Sequence, residues 1–456
     1  MSIAEDAKPQ ALHSDNPRCI AIDADAEKRL VRKIDLHLMP SIFILHLLSY
    51  MDRSNIGLAK IAGMEDDLHL TSHQYYTAVI VLVIGYTIAV VPSNMILSQT
   101  RPSVFIPIIT FAWGSIAALI GAVRNQGQLI ALRFLLGVFE AGFGPAVIFL
   151  ISAWYRKNEQ SKRCITFLTA GILSGAFGGV ISGAITSSLD GAHDIRGWRW
   201  LFIIEGVTTA GVSLIIHWTL LDYPHNSHAL SPEERKLGQQ RLIEDGTADQ
   251  GESKTQSISI FVLLLKALSN WRIWVLIPGY MTIFGASAIS YFYPTLVNGM
   301  GYASATAQYM TAPLYIASLA AVIPICWVAD RKPHARGRLL VGDLILGMVF
   351  FALTVGIRDC TARYVFLCFI NMTILTGSAL GLSFAATALA PVTRDVRAIM
   401  LAWMSGVAAL AQLYGSALFP EEDSPVYIVG FSVFAATFAI GAVSYGLADI
   451  LFKRYP

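Results

Sequence analysis

The sequence predicts an all-α membrane protein of twelve transmembrane helices arranged as two six-helix bundles. Three observations carry that expectation. Of the 456 residues 55% are hydrophobic and only 14% charged, against roughly 25% charged in an average soluble domain. Apolar stretches of about 20 residues, the length a helix needs to cross a bilayer, recur twelve times along the chain. A polar stretch, 221–271, separates the sixth from the seventh, so the array divides six plus six.

The spans are expected at 36–56, 74–97, 104–122, 128–151, 165–187, 199–220, 272–293, 307–329, 338–357, 363–386, 397–419 and 425–451. The chain accordingly reads as an N-terminal tail (1–35), a first bundle (36–220), a linker (221–271), a second bundle (272–451) and a C-terminal tail (452–456). Residues 1–35 hold no apolar run, so no signal peptide is expected and the first span stays in the product. Of the 33 Lys and Arg residues, 25 fall on the side of the two termini, 7 on the other side and Arg133 within a span. Lys and Arg concentrate on the cytoplasmic side of a membrane, so both termini are expected in the cytoplasm.

Within the linker, Ser231-Pro232-Glu233-Glu234 has the pattern of a capping box with Pro at the first helical position. A short polar helix should run from there to about Asp245, stopping at Gly246. Residues 246–258 read as flexible and the first 20 or so as disordered.

Composition also excludes. A net charge of +2 offers no polyanion a binding face, and no basic patch points to nucleic acid. Cys19, Cys164, Cys326, Cys360 and Cys368 are scattered, with neither disulfide nor zinc spacing. No nucleophile set, metal cluster or phosphate-cradling loop is visible, so no enzyme activity, metal or cofactor is expected. Gly171, Gly175, Gly178, Gly179 and Gly183 in the fifth span are small residues at helical spacing, which make a surface for close packing.

Function is sought where charge lies in apolar helix. Asp52 and Arg53 close the first span, and Arg133 and Glu140 lie in the fourth. The last two are seven residues apart, two helical turns, and share a face about 10 Å apart along the axis. Ionisable residues inside a membrane usually face the bundle interior and mark functional sites. The first span runs outward and the fourth inward, which places the two pairs at overlapping depth.

The loop after the eighth span, Trp327 to Arg338, contains Asp330-Arg331 followed by basic residues. It resembles the cytoplasmic loop signature of the major facilitator superfamily, which latches adjacent helices in one conformational state. The corresponding first-half loop, Asn94 to Ser103, lacks an Asp-Arg pair. Further motifs are Asp52-Arg53-Ser54-Asn55-Ile56-Gly57, Arg133-Phe134-Leu135-Leu136-Gly137 with Glu140-Ala141-Gly142, Trp154-Tyr155, and Gly197-Trp198-Arg199-Trp200-Leu201-Phe202-Ile203-Ile204-Glu205-Gly206. With Tyr223-Pro224 and Tyr291-Phe292-Tyr293-Pro294, they resemble the anion:cation symporter family of that superfamily, and within it the fungal allantoate permease branch.

The resemblance implies the major facilitator fold and a division of labour. Arg53 would engage a substrate carboxylate, Asp52 and Glu140 would exchange protons, and Arg133 would hold the charge of Glu140 when substrate is absent. Tyr86, Tyr291 and Tyr293 would line the pocket, and Asp330 and Arg331 would form the latch. Where related carriers present an Asn in the eleventh span this chain has Gln412, the substitute candidate. His46 lies seven residues before Arg53 on the same face and reads as a core histidine more readily than a proton relay. Glu205 reads as a structural outer-to-mid-span residue of the Gly197–Gly206 motif, without an assigned function.

The function expected is proton-coupled symport of a small organic anion, such as a vitamin, ureide or sugar acid, by alternating access. Export of a fungal secondary metabolite is the alternative within transport. A nutrient sensor is disfavoured, because the tail and linker leave little room for signalling extensions. The expected partners are the anion, protons and the bilayer, with no nucleic acid, in a monomeric carrier at the plasma membrane.

Overall fold

The computed structural model describes residues 24–224, 227, 230–245 and 260–454. Among them there is no strand, and twelve spans are long and apolar enough to cross a membrane. These are Asp25–Asp67, Ser72–Val90, Pro102–Ile120, Gln126–Trp154, Lys162–Leu189, Gly197–Thr219, Trp271–Tyr291, Ser304–Ala329, Arg336–Gly356, Cys360–Ala388, Ile399–Ser416 and Ile428–Arg454. Each overlaps one expected stretch. An even number of spans puts both chain ends on one side of the bundle, called here the terminal end; the opposite side is the distal end.

Three departures from the expected boundaries have local causes. The first helix already begins at Ala24, well inside the stretch read as a tail. Leu30, Ile34 and Leu38, spaced four apart, are buried on one face, while Lys33 and Asp35 reach the linker helix and the fifth span through ion pairs of 2.8 and 2.7 Å. The fourth span is two helices, Gln126–Glu140 and Phe143–Trp154, interrupted at Ala141-Gly142 just after Glu140. A second linker helix, Ile260–Leu268, precedes the seventh span; it is apolar, which explains why a scan for polar linker missed it. The segments expected to be flexible (246–258) and disordered (the first 20 or so) lie outside the described residues.

The linker helix Pro232–Glu244 is capped as its sequence suggests: Glu234 N–H donates to Ser231 Oγ, and Ser231 N–H donates to the Glu234 carboxylate. Its fully buried Arg241 fastens it to the first bundle. The guanidinium bonds Glu159 at 2.7 Å and Glu27 at 3.1 Å, and Arg156 adds links to Glu27 and Glu244. The helix is thus tied to the terminal end of the first half by charges on the first and fifth spans.

The two halves meet at the distal end. Gly175, Gly179 and Gly183 of the fifth span form a groove filled by Tyr315, Thr311 and Tyr309 of the eighth, where an added Cβ would collide with each. Gln308, wholly buried, keys this contact. Its Oε1 accepts from Ser182 at 3.0 Å and Thr186 at 2.8 Å, and its Nε2 donates to the Leu58 carbonyl at 3.2 Å. Tyr76 adds a bond to the Leu413 carbonyl, 3.0 Å. At Gly57 the first span approaches the Tyr291 carbonyl so closely that any side chain would overlap it.

Candidate functional site

The first span carries Ser49, Asp52, Arg53 and Asn55 within two turns, and each residue turns the helix by about 100°. Neighbours in sequence therefore face different helices. Arg53 turns toward the second and fourth spans, whereas Asp52 turns toward the sixth, and the two acquire separate partners.

Arg53 Nε lies 2.7 Å from Glu140 Oε2, and Ser49 Oγ donates to the other carboxylate oxygen at 2.6 Å. The Arg53 guanidinium sits over the Tyr86 ring at 4.7 Å and near the Tyr50 ring at 5.6 Å. Such rings attract a cation through their negative faces. The Arg53 side chain is 22% exposed and that of Glu140 0%. The arginine is therefore the member of the pair that a ligand can approach.

Arg133 does not hold Glu140, contrary to the role the resemblance implied. It is fully buried, its Nε donates to the Ala78 carbonyl at 3.2 Å, and neither terminal nitrogen has a hydrogen-bond partner among the described residues. The reason is helix geometry. Two turns separate Arg133 from Glu140 by about 10 Å, and side chains lean toward the helix N-terminus, so Arg133 leans away from the acid. Arg53, arriving from a neighbouring helix at the level of Glu140, takes the place instead.

Asp52 forms the other side. Its Oδ2 accepts from Thr209 Oγ1 of the sixth span at 3.3 Å, and one turn further Asn55 Nδ2 donates to Glu205 Oε2 at 2.5 Å. Ser49, Asn55 and Thr209 were not singled out from the sequence. A polar residue one turn from a membrane-embedded acid was the signal available for the first two.

The remaining candidates scatter. Tyr291 is buried beside the backbone of Gly57 and close to Arg53, Arg133 and Glu140. Tyr293, two residues on, points elsewhere and donates to Asn371 Oδ1 of the tenth span at 3.1 Å. Gln412 donates to Ser287 of the seventh span at 3.0 Å, a bond within the second half. His46 stacks on Phe167 at 3.8 Å with Tyr50 edge-on at 4.7 Å, an aromatic core position. Arg331 lies over the ring of Trp327, 3.7 Å away on its own helix. The side chain of Asp330 is outside the described set, whereas Arg336 bonds the Ala329 carbonyl and Thr387, tying this loop to the tenth span.

The Gly197-Trp198-Arg199-Trp200 motif has a structural explanation. Arg199 Nη2 and Trp198 Nε1 both bond Asp67, at 2.9 and 3.1 Å, and Arg199 Nη1 caps the Val123 carbonyl at 2.6 Å. The motif pins the distal start of the sixth span to the loops after the first and third. That anchoring sets the height at which Glu205 meets Asn55.

Comparison with known proteins agrees with this architecture. The family model of the Major Facilitator Superfamily matches residues 42–420. The chain is 36% identical over 326 residues to the MFS transporter prlL of Fungal sp. (strain NRRL 50135), covering 69% of this chain and 64% of that one. It is 28% identical to the high-affinity nicotinic acid transporter of Saccharomyces cerevisiae, covering 94% and 78%. Among solved structures, an inward-facing, unoccupied bacterial homologue of the human lysosomal transporter Spinster superposes with a TM-score of 0.69 at 14% identity, covering 95% of this chain and 98% of that one. Twelve spans in two bundles, charges gathered inside the first bundle and a family match across most of the length identify the chain as a membrane transporter belonging to the Major Facilitator Superfamily.

Proposed function

We propose that this transporter is a proton-coupled symporter of a small organic anion, on the allantoate permease-like branch of the anion:cation symporters. One observation carries the reading: a partly exposed Arg53, enclosed by Tyr50 and Tyr86, is neutralised by a fully buried Glu140. Arginine presents a planar, permanently charged fork suited to a carboxylate. A substrate carboxylate and the Glu140 carboxylate compete for it. Protonation of Glu140 frees Arg53 for the anion, and release of that proton expels the anion, so the two move together. The nicotinic acid transporter among the relatives is named for an aromatic carboxylate, which supports a substrate of this class.

In the working cycle the termini are cytoplasmic and the carrier is a monomer of the plasma membrane. The distal contacts of Gln308 are then the outer gate, closed in this structure. Asp330 and Arg331 latch the terminal end when it closes in turn. Tyr291 completes the pocket from the second half, with Tyr293 and Gln412 supporting its wall through their own partners.

The test is uptake of radiolabelled nicotinate, allantoate and a panel of sugar acids into yeast lacking its own carriers, at acid and neutral external pH. Accumulation of at least one anion that rises in acid and is abolished by Arg53→Ala is expected. Failure of every anion, with reduced efflux of a metabolite from a strain deleted for the gene, would replace import by export.

A further inference from the structure

The Arg53–Glu140 centre leaves two buried acids of the first bundle unexplained. Asp52 and Glu205 are 1% and 4% exposed and lie between the first and sixth spans. The two helices run antiparallel, and the bonds Asp52–Thr209 and Asn55–Glu205 are adjacent rungs between them. Asp52 Oδ1, Glu205 Oε1 and Asn55 Oδ1 have no hydrogen-bond partner among the described residues. The indole N–H of Trp113 of the third span, 0% exposed, faces Asp52 as a donor.

Among the described residues no cation is turned to this space, and Glu140 is a further acid close to Asp52. The third span, Pro102–Ile120, contains no charged residue, and the fifth contains none from Cys164 to Leu189. On the sixth span, Arg199 is committed to Asp67 and His217 bonds the Ser103 carbonyl. Lys60, at the end of the first helix, pairs with Glu65 at 3.4 Å. Arg53, the residue after Asp52, is turned to Glu140. Two carboxylates sharing a closed site with no counter-charge cannot both stay ionised. The smallest species that brings such a pair from two negative charges to one, and needs no cavity, is a proton.

We propose that Asp52 and Glu205 hold a proton between the first and sixth spans, and that this pair is a second proton site of the carrier, separate from the Arg53–Glu140 centre. The inference rests on the proton-coupled reading of function and adds to it a residue, Glu205, that touches neither Arg53 nor the anion. Asn55 and Thr209 position the two acids, and the indole N–H of Trp113 faces Asp52 as a donor to its carboxylate once the proton has left. Proton release passes to water when the sixth span separates from the first, taking the pair from one negative charge to two, both then hydrated. No bond other than O–H is made or broken.

The experiment needs no substrate. Infrared difference spectroscopy of the purified full-length carrier reads the C=O stretch of protonated carboxyl groups, with D₂O shifting the band. Asp343 of the ninth span, also buried with an unpartnered oxygen, contributes background and is removed by Asp343→Asn. In that background, Asp52→Asn with Glu205→Gln should abolish the remaining band at neutral pH, and each single variant should shift or reduce it. An undiminished band in the double variant overturns the proposal. Should Glu205→Gln fail to fold, Asp52→Asn reads the same band alone.

A second arm separates this inference from the reading beneath it. In proteoliposomes supplied with the anion found in the uptake panel, Glu205→Gln should retain anion exchange and lose pH-driven accumulation tenfold or more. Wild type indifferent to a pH gradient would overturn proton coupling itself, and the second site with it. A coupled wild type with an equally coupled Glu205→Gln would overturn only the second site.

Discussion

Replacing Glu140 by Gln tests the competition at Arg53 directly. The amide keeps the shape, its oxygen placed to accept from Arg53 and its NH2 to donate to Ser49 Oγ where the carboxylate made bonds of 2.7 and 2.6 Å, so the helix break at Ala141 is left alone. What disappears is the negative charge. Opposite charges about 4 Å apart interact by about 4 kcal/mol at an effective dielectric of 20. If half of that attraction opposes an incoming carboxylate, its removal tightens anion binding by roughly 30-fold. The sign in pH follows. On the proposed competition, protonation of Glu140 in acid would free Arg53 and strengthen binding, whereas in Glu140→Gln the arginine would be free at every pH. Binding of tritiated nicotinate, or of the anion found in the uptake panel, should therefore become tight and flat between pH 5 and 8. Exchange across the membrane should persist while net accumulation is lost, because release no longer follows deprotonation. Unchanged affinity, or a pH dependence that survives the substitution, would refute Glu140 as the competitor and return the coupled proton to Asp52.

Three further predictions concern the scaffold. Gln308→Leu removes three distal hydrogen bonds and leaves Ser182, Thr186 and the Leu58 carbonyl without this partner; at about 1–3 kcal/mol for buried groups so stranded, the distal end should open, seen as faster hydrogen exchange at residues 304–311. Gly179→Ala should do the same, since its Cβ would lie 2.6 Å from the Gln308 carbonyl oxygen, while Gly178→Ala, whose nearest neighbour is Met51 at 3.6 Å, should not; equal exchange in both would exclude the glycine groove as the contact that matters. Arg241→Ala takes the buried arginine from Glu159 and from Glu27, which keeps Arg156; both carboxylates are part-exposed, so the cost falls below the about 3–5 kcal/mol of a fully buried pair, and a lower Tm with proteolysis in the linker is expected.

Much of the fold was legible because lipid leaves a chain few choices. Backbone groups in a membrane must be satisfied within helices or closed barrels, so hydropathy alone places twelve spans. Edges were less legible. The first helix continues past the expected span on Leu30 and Ile34, with Leu30 beside Gly238 of the linker helix, and such partners cannot be seen in a local window. The second linker helix, Ile260–Leu268, escaped because nine residues are too few to read as a span and too apolar to read as a linker.

The site shows the same division more sharply. That Asp52, Arg53, Arg133 and Glu140 matter could be read from their cost in lipid, and helix directions put them at one depth. Which acid meets which base could not, because the answer lies in the rotation of the first helix about its axis. A turn of about 100° between residues 52 and 53 sends one charge to the fourth span and its neighbour to the sixth. Spacing within one helix gave the wrong pairing for Glu140, since residues two turns apart share a face without touching. The partner came from another helix and is polar or charged only at the level required: Ser49 and Arg53 for Glu140, Asn55 for Glu205 and Thr209 for Asp52. The first span is therefore the element whose rotation or tilt alters both acid centres at once. On the proposed proton-coupled reading, a displacement of the first span would reset the Glu140 and the Asp52–Glu205 centres together.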